Sequence, residues 1–468
     1  MAILLAAAAF SLSACGAGTA RRETAAESSA MSVSARETAV TEPLAASVNV
    51  YGKTFEQLIV GSDATDLSAD IRILTRDTDL IGSTFRDYVA EFQKMYPNIT
   101  VVYEGFDAYD TDVPPILEND SWGDICMIPS SMGRGDLSAY FLSYGSEESL
   151  SKSYRFVSEY AGGGQVYGMP SGGTVNGIAY SRSVFGKAGI TALPKTPAEF
   201  LSDLGKIKDA TEAVPLCTNY GIGSLISCWD SFIGVDSTGD ANYLYRVLPA
   251  AINPFSDRKN GTGPYAVYSI LYNAAKSGLI EDTSAPPDAK KNKTLLASGK
   301  VGTMALDSLS AFRVEGGEDI AYMPFPVSVN GVQYTSSAPL AGYGINIHST
   351  PENRLAAMLY VKWLTESSGY ADCRGLIPVR IGEAYPDFLK AFEGVTLSYN
   401  LPAEEGQEVL FEKVNTDSGL FLLSEKSRVS ELITAAGDDK TTFDSLMSIW
   451  NTVWTSGAAG EFAVTPGA

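Results

Sequence analysis

The chain has 468 residues, 45% of them hydrophobic and 19% charged, which is the composition of a globular protein long enough for two or three domains. Its 34 basic and 55 acidic residues give a net charge of -21, which would repel phosphate backbones and therefore argues against a nucleic-acid partner. After the N-terminus, no segment approaches the roughly 20 uninterrupted apolar residues that a transmembrane helix requires.

The first 14 residues predict an export signal peptide. The apolar run 2–10 is too short to span a bilayer but suits the apolar core of such a signal, although no Lys or Arg precedes it. Residues 12–15, LSAC, resemble a bacterial lipobox. This resemblance implies that Cys15 becomes the lipid-bearing first residue of a protein anchored on the extracellular face of the bacterial cell membrane. The alternative is an ordinary apolar N-terminus with a chance cysteine.

Residues 15–67 predict a flexible tether, because they are rich in Ala, Ser, Thr and Glu and have little apolar periodicity. Within this stretch, the run 48–60 contains Tyr51, Phe55, Leu58 and Ile59. That run could instead add a strand or a helical turn to the globular part, and the sequence leaves both readings open.

Strand and helix patterns alternate from residue 71 onward. A short apolar strand at 71–75 precedes a helix at 83–96 with apolar residues on one face, and Pro97 ends that helix. Two strands rich in apolar residues follow at 99–103 and 124–128. This alternation predicts parallel α/β units.

The same pattern returns later and predicts a second core. Thr196, Pro197 and Glu199 open a helix with a capping box, and Ser349, Pro351 and Glu352 open another. The remaining expected elements are a loop and strand at 167–180, strands at 301–306, 320–325 and 342–347, and helices at 265–277, 353–366 and 443–454.

The order and spacing of these segments resemble the family 1 extracellular solute-binding proteins, the carbohydrate-type receptors of ABC importers. The resemblance covers most of the chain after the tether. It rests on DIRILTRDTDLIGSTFRDYVAEFQKMYPNITVVYE, WGDICMIPS, YGMPSGGTVNGIAYSRSVFGKAGITALPKTPAEFLSDLGKIK, LLASGKVGTMALDSLSAF, APLAGYGINIHSTPENRLAAMLYVKWLTES and GLIPVR.

This resemblance implies a two-lobed periplasmic-binding-protein-like fold of type II, in the α/β class, with a ligand cleft between lobes joined by a hinge. Lobe one would comprise 68–178 plus 318–372, and lobe two 180–315 plus 376–455. The protein is then expected to be a monomer that captures a carbohydrate, such as an oligosaccharide, and delivers it to the permease subunits of an ABC importer without converting it.

A sugar site needs aromatic platforms together with side chains that exchange hydrogen bonds with hydroxyls, carried on loops at strand ends. Each candidate also has a structural alternative, such as a helix cap at Asp79, a serine turn before Gly133 or a core tryptophan at Trp229. The candidates are Asp77 and Asp79 in the first loop, Ser130 and Ser131 after the third strand, Ser171, Thr174 and Asn176 in the crossover loop, and Trp229 with Asp230 in SLISCWDSF.

Three further candidates follow from the resemblance. Asp307 follows the strand 301–306, where the family carries a cleft loop, although Leu309 and Ser310 stand where an aromatic residue is common. Tyr343 occupies the place of an aromatic residue that faces the ligand. Arg380 ends GLIPVR and would reach the cleft from lobe two, with a surface ion pair as its alternative.

The four cysteines after Cys15 allow three pairings. Cys217 with Cys228 is one candidate pair, whereas Cys126 lies in an apolar strand where a buried free thiol is expected. The sequence does not decide whether Cys373 or any other of the four is oxidised.

Two other classes of function compete with a transport receptor. A secreted carbohydrate-active enzyme would use two carboxylates, and a surface adhesin would hold glycans without a transporter. The sequence lacks GxSxG, HExxH, P-loop and GxGxxG motifs, and its single histidine, His348, precedes a helix cap where a structural role is expected. No cofactor and no metal ion is therefore expected.

Overall fold

Two mixed β-sheets organise the part of the chain that the computed structural model describes, which comprises residues 52–306, 317, 319–438 and 440–462. The expected signal peptide, Cys15 and Asp307 lie outside these described residues. Each sheet has its own hydrophobic core, and three segments of chain cross between the two resulting lobes.

The described strands are numbered in chain order: β1 Ala69–Thr75, β2 Ile99–Gly105, β3 Ile125–Met127, β4 Gly145–Ser146, β5 Ala161–Gly162, β6 Gln165–Val166, β7 Met169–Pro170, β8 Gly177–Ser181, β9 Val214–Cys217, β10 Val301–Ala305, β11 Ile320–Pro324, β12 Tyr334–Ser336, β13 Gly342–Ile345 and β14 Thr396–Ser398.

The described α-helices are α1 Thr84–Gln93, α2 Tyr109–Leu117, α3 Leu137–Tyr140, α4 Glu147–Leu150, α5 Arg182–Lys187, α6 Pro197–Ala210, α7 Gly223–Ile226, α8 Val235–Thr238, α9 Gly263–Lys276, α10 Ala289–Ala297, α11 Pro351–Glu366, α12 Tyr370–Arg374, α13 Leu410–Asp417, α14 Ser430–Ala436 and α15 Phe443–Phe462. Short 3₁₀ segments lie at Thr78–Leu80, Val157–Tyr160, Ser227–Ile233, Leu248–Ala250 and Asp387–Phe392, and a π-helical turn lies at Tyr243–Val247.

Lobe one is built on a sheet with strand order β2-β1-β3-β13-β7. β1 pairs in parallel with β2 and β3, whereas β13 runs antiparallel to β3 and β7. Helix α11 packs against β1 and β13, and its residues from Leu355 to Thr365 are buried. The short strand β3 is apolar throughout because helices and loops cover both faces of this sheet.

Lobe two is built on a sheet with strand order β11-β8-β10-β9. β9 and β10 are parallel, and β8 runs antiparallel to both β10 and β11. Helix α6 begins as the sequence predicts, since Thr196 Oγ1 accepts a hydrogen bond from the Glu199 main-chain nitrogen at 3.3 Å. Helix α11 instead uses Thr350 as its N-cap, with Thr350 Oγ1 3.2 Å from the Asn353 nitrogen. The expected cap Ser349 donates to the Asp124 carboxylate.

Three crossing segments connect the lobes: the first is 171–176, the second 325–341 and the third 375–386. The first and second run side by side, with the Thr174 nitrogen donating to Ala338 O at 2.8 Å. Gly173 exchanges main-chain hydrogen bonds of 2.9 and 2.8 Å with Ile377 in the third segment. The three segments therefore form one hydrogen-bonded connection between the lobes.

Sheet membership corrects the expected lobe boundaries. The expected lobe one includes the chain from residue 318, but β11 pairs with β8 in the sheet of lobe two. Lobe one therefore resumes only at β13. Sequence periodicity predicts the strand β11, but it contains no information about the distant strand with which β11 pairs. The sheet to which β11 belongs is therefore not predictable from this pattern.

The expected tether also ends earlier than residue 67. Phe55 and Leu58 are buried in the core of lobe one, with the Phe55 ring 5.0 Å from that of Tyr144. The Gly61 nitrogen donates to Tyr96 Oη at 2.9 Å. Residues 52–67 are thus folded as turns on lobe one, and turns have no periodicity by which a sequence could reveal them.

No helix in the described part of the chain is both long enough and apolar enough to cross a bilayer.

Candidate ligand-binding cleft

Polar loops gather at one edge of the sheet in lobe one. The strands β1 and β3 end there, and the antiparallel strand β13 begins there, with the Ile128 nitrogen donating to Gly342 O at 2.8 Å. Because ligands of such sheets bind beyond the carboxyl ends of parallel strands, this edge is the expected ligand side of lobe one.

Ser130 and Ser131 are exposed at this edge, directly after β3. A hydrogen bond to helix α2 fixes their loop, since the Ser130 nitrogen donates to Asp110 Oδ1 at 2.7 Å. Arg76 pairs with the same carboxylate at 3.4 Å and lies over the Tyr109 ring at 5.1 Å. Asp110 is not among the predicted residues, because an exposed acid in a helix has no distinguishing sequence pattern.

The loop after β1 contains two aspartates with different environments. Asp77 is buried, accepts a hydrogen bond from Tyr370 Oη at 2.5 Å and pairs with Arg374. Burial, together with the Asp77 carboxylate, raises the pKa of Tyr370 well above its usual value. Asp79 pairs with the same arginine at 3.1 Å, but its side chain is 63% exposed. Asp77 is therefore committed to partners within lobe one, and Asp79 remains accessible to a ligand.

Tyr343 lies inside lobe one rather than on its surface. It is buried in the middle of the sheet, and its ring meets that of Tyr370 at 6.4 Å in an edge-on arrangement. Burial is the main reason that the pKa of Tyr343 lies well above its usual value, and the nearby Tyr370 and Asp77 raise this pKa further. The expected ligand-facing position of Tyr343 is therefore not the position it has in this structure.

The first crossing segment places its three candidates at the hinge. Ser171 is buried, whereas Thr174 and Asn176 are half-buried. Thr174 Oγ1 donates to Ala338 O at 3.0 Å. Asn176 Nδ2 donates to Ser231 Oγ at 3.0 Å and to Asp236 Oδ2 at 3.4 Å. These polar groups connect the crossing segments with one another and with lobe two.

Trp229 and Asp230 lie in the core of lobe two, both 0% exposed. The indole packs edge-on against Phe325 at 5.9 Å and Phe232 at 6.1 Å. Asp230 accepts hydrogen bonds from Tyr268 Oη at 2.8 Å and from the Leu423 nitrogen at 2.9 Å. Burial raises its pKa to about 6. Trp229 is thus a core tryptophan, which is the structural alternative to a sugar platform, because a stacking platform needs an accessible ring face.

Arg380 lies with lobe one, not lobe two. Its Nη1 pairs with Glu366 of α11 at 3.1 Å, and its guanidinium lies 5.8 Å from the Tyr154 ring. Arg380 therefore forms a surface ion pair, which is the expected alternative to a role in ligand binding. Of the expected set, the exposed residues at the ligand-side edge are therefore Asp79, Ser130 and Ser131.

The matching edge of lobe two carries residues that the sequence analysis missed. β9 ends at Cys217, and Thr218, Asn219 and Tyr220 follow it directly. The Thr218 nitrogen and hydroxyl both donate to Glu281 at 2.8 Å. Asn219 has a φ of 59° and a buried amide nitrogen without a hydrogen-bond partner. The signal was available in the sequence, where the polar residues TNY follow the apolar strand VPLC.

No disulfide joins any of the four described cysteines, Cys126, Cys217, Cys228 and Cys373. Cys126 and Cys217 are buried, and burial raises the pKa of Cys217 to about 12. The candidate pairing of Cys217 with Cys228 is therefore not present.

Two α/β lobes with ligand-side edges, joined by three crossing segments, define the class of type II periplasmic-binding-protein folds. Residues 77–371 match the family described as bacterial extracellular solute-binding proteins, and the chain belongs to this family. It is a family of binding proteins.

Two proteins of Bifidobacterium animalis subsp. lactis ATCC 27673 with solved structures are similar to this chain. One is BlMnBP1, a binding protein of an ABC transporter in complex with mannobiose, and the other is BlMnBP2, a manno-oligosaccharide-specific solute-binding protein in complex with mannotriose. Each is 36% identical, has a TM-score of 0.62, and is matched over 88% of this chain and 100% of its own.

A third relative is the melibiose/raffinose/stachyose-binding protein MelE of Bacillus subtilis (strain 168). It is 24% identical over 270 residues. The match covers 53% of this chain and 56% of MelE, so the chain spans about half the length of this curated relative.

Proposed function

We propose that this protein captures an oligosaccharide, of the manno-oligosaccharide type, and delivers it to an ABC importer. The observation that carries this proposal is the 36% identity, over 88% of the chain, to two binding proteins whose structures contain mannobiose and mannotriose. The permease that receives the sugar is a further element of the proposal.

The polar loops at the two sheet edges support a neutral polyhydroxyl ligand. Exposed Asp79, Ser130 and Ser131 offer acceptors and donors from lobe one. Thr218 and Asn219 lie at the corresponding edge of lobe two, but each is only 1% exposed. We assign ligand contact to Asp79, Ser130 and Ser131 and add Asp307, which follows β10 outside the described residues.

We also propose that the sugar leaves the protein unchanged. Among the candidate acids, Asp77 is held by Arg374 and Tyr370, and Asp230 is enclosed in the core of lobe two. Neither carboxyl group is free to protonate a glycosidic oxygen or to attack a sugar ring, which leaves Asp79 as the only accessible acid among the described candidates, whereas a glycosidase of this kind uses two carboxyl groups.

The experiment that tests this function is calorimetric titration of the mature chain, with Cys15→Ser to avoid lipidation. Mannobiose, mannotriose, raffinose and cellotriose are compared, and the sugars are analysed chromatographically afterwards. Mannotriose should bind, raise the melting temperature by mass action and be recovered intact. Absence of binding to both mannose oligosaccharides would reject the proposed ligand, and consumption of the sugar would favour the enzyme alternative.

The lipid anchor at Cys15 is tested separately. A chain expressed in a bacterium with a labelled fatty acid should carry the label and fractionate with membranes. The Cys15→Ser chain should lose both properties, because a protein without a lipid chain has no such membrane affinity. Equal membrane association of the two chains would reject the anchor.

A further inference from the structure

Tyr160 is a half-buried aromatic residue of lobe one, at the end of the 3₁₀ segment Val157–Tyr160. The two aromatic residues that were expected to face a sugar, Trp229 and Tyr343, are 0% and 1% exposed, so neither offers a ring face to a ligand. A sugar ring has an apolar face that packs favourably on an aromatic ring. An aromatic contact for the sugar is therefore to be sought in another residue at the ligand-side edge.

Two glycines place the Tyr160 ring at this edge. A Cβ atom at Gly342 would lie 2.6 Å from both Cε2 and Cζ of Tyr160, and one at Gly168 would lie 2.9 Å from its Cβ and Cγ. The ring therefore lies directly against the main chain of the lobe-one sheet, an approach that glycine permits. Gly342 is the first residue of β13, and its carbonyl oxygen accepts the hydrogen bond of the Ile128 nitrogen. The hydroxyl end of the Tyr160 ring is thus the end next to the ligand-side edge.

The segment that carries Tyr160 is fixed to the loop that follows β3. Arg134 of that loop pairs with Glu159 at 2.7 Å. The same loop carries the exposed Ser130 and Ser131, to which ligand contact is already assigned. A salt bridge therefore holds the neighbour of Tyr160 on the loop that presents these two serines.

An arginine from the loop after β1 approaches Tyr160 from the other side. Arg76 pairs with Asp110 at 3.4 Å, and its side chain is 29% exposed. Burial raises the pKa of Tyr160, and the positive charge of Arg76 acts in the opposite direction, as expected for neighbouring side chains. Guanidinium and carboxylate groups exchange hydrogen bonds with sugar hydroxyls. Polar groups of the kind that a sugar requires therefore lie beside the Tyr160 ring.

The hydroxyl group of Tyr160 differs from those of other tyrosines in lobe one. Tyr109 donates to Leu74 O at 3.1 Å, Tyr144 donates to Tyr343 O at 2.7 Å, and Tyr370 donates to Asp77. Within the residues that the structure describes, the Tyr160 hydroxyl has no such partner. A tyrosine hydroxyl away from bulk water normally has a hydrogen-bond partner, and a ligand hydroxyl suits this position.

We propose that Tyr160 is the aromatic residue with which lobe one contacts the sugar. Its ring packs against the apolar face of one sugar ring, and its hydroxyl donates a hydrogen bond to a hydroxyl group of the ligand. This inference rests on the proposed capture function and assigns to the same site a residue that selects ligands with an apolar ring face.

The test compares the wild-type mature chain with Tyr160→Phe and Tyr160→Leu by calorimetric titration with mannotriose. Tyr160→Phe keeps the ring and should weaken binding about threefold to tenfold, as expected for the loss of one hydrogen bond between neutral groups. Tyr160→Leu removes the ring as well and should weaken binding about thirtyfold. A larger loss in the leucine variant than in the phenylalanine variant is the result expected for a stacking residue.

The matched control is Tyr140→Leu. Tyr140 is also a half-buried tyrosine of lobe one, but it lies at the opposite edge of the sheet, where its carbonyl oxygen accepts from the Ile347 nitrogen after β13 has ended. This variant should bind mannotriose like the wild type, within about twofold, because it changes no group at the ligand-side edge. The melting temperature of each unliganded variant is measured in parallel, and Tyr160→Phe should match the wild type, since the ring that packs on Gly168 and Gly342 is retained.

Wild-type affinity in Tyr160→Phe would overturn the proposal, and so would equal losses in Tyr160→Leu and Tyr140→Leu. If Tyr160→Leu does not fold, the phenylalanine variant decides alone. Failure of the inference and failure of the proposed function give different results. A wild type that binds the sugar while the Tyr160 variants bind it equally well rejects only the assignment of Tyr160, whereas a wild type that binds no mannose oligosaccharide rejects the function and this assignment together.

Discussion

Neighbouring aspartates in one loop show how burial decides what a carboxylate can do. Asp77 and Asp79 are two positions apart and share Arg374, yet one is enclosed and the other is mostly exposed. The enclosed group fixes the loop on α12, and the exposed group remains accessible to solvent. An exposed ion pair contributes little to stability, so the two roles can be separated by mutation.

Asp79→Ala should weaken mannotriose binding about tenfold or more, since a hydrogen bond to a charged group is worth roughly 1.5–3 kcal/mol. The melting temperature of the unliganded protein should change little. The matched control is Asp87→Ala in α1, whose side chain is 70% exposed and pairs with the adjacent Arg86. Calorimetric titration of both variants decides the assignment, which fails if they bind the sugar equally well.

Asp230 provides a stability prediction with a defined sign. Its pKa is raised from 3.8 to about 6 by burial, so the folded protein holds this proton more tightly than the unfolded chain does. The corresponding stability is fully present below about pH 4 and is lost as the pH rises to about 6. The size is at most about 3 kcal/mol for this shift.

Asp230→Asn should therefore reduce the fall in unfolding free energy between pH 4 and pH 6, measured by urea denaturation at closely spaced pH values, and the buried Asp236, whose pKa is raised to about 7, should keep part of that fall. An amide retains an acceptor for the Leu423 nitrogen, so the fold should persist. A variant with the full wild-type pH slope would show that another group is responsible.

The positions of polar residues directly after strands are predictable from the sequence, but the accessibility of their side chains is not. Periodicity predicts the strands, and the structure places Asp79, Ser130 and Ser131 exposed in the loops that follow them, while their contact with a ligand stays a prediction. Trp229 is predicted to contact the ligand, but it lies in the core. In the sequence, a tryptophan beside an acid is compatible with a sugar platform and with a core position, so the pattern does not distinguish them. Thr218 and Asn219 were overlooked although they follow a strand in the same way.

The secondary-structure elements were predicted more successfully than the contacts between them. The expected helix at 265–277 is observed as Gly263–Lys276, and the expected strand at 99–103 as Ile99–Gly105. Local periodicity and capping residues determine such elements, so sequence is sufficient for them. The sheet to which β11 belongs depends on β8, more than 130 residues away, and no local pattern contains that information.

The crossing segments depend on a close approach that only glycine permits. A Cβ atom at Gly173 would lie 2.3 Å from the Phe156 ring and 2.8 Å from Ile377 Cγ1. Gly173→Ala should therefore lower the free energy of unfolding by about 2 kcal/mol through overpacking. Urea denaturation of the unliganded protein measures this loss.

Gly186→Ala is the control for this substitution, because it lies in α5 and a Cβ atom there would meet nothing within 4 Å. That change should be neutral or stabilising by about 0.5–1 kcal/mol, as expected for alanine in a helix. Comparable losses in the two variants would contradict the steric explanation for Gly173.

At the scale of the whole molecule, both lobes have the same construction. Each sheet combines parallel strands with one antiparallel strand that leads into or out of a crossing segment, β13 in lobe one and β8 in lobe two. The ligand-side edge of each sheet is therefore next to the hinge. Small rotations at the hinge then change the distance between the two sets of polar loops, which couples ligand contact to lobe angle.

Binding of mannotriose should consequently make the molecule more compact, because a ligand that touches both edges favours the conformation in which they are close. Small-angle scattering should show a smaller radius of gyration with the sugar than without it. Asp79→Ala, at a sugar concentration that saturates only the wild type, should retain the unliganded radius. Tight binding without compaction would mean that one lobe holds the sugar alone, and the two-sided cleft would then be the wrong description of the site.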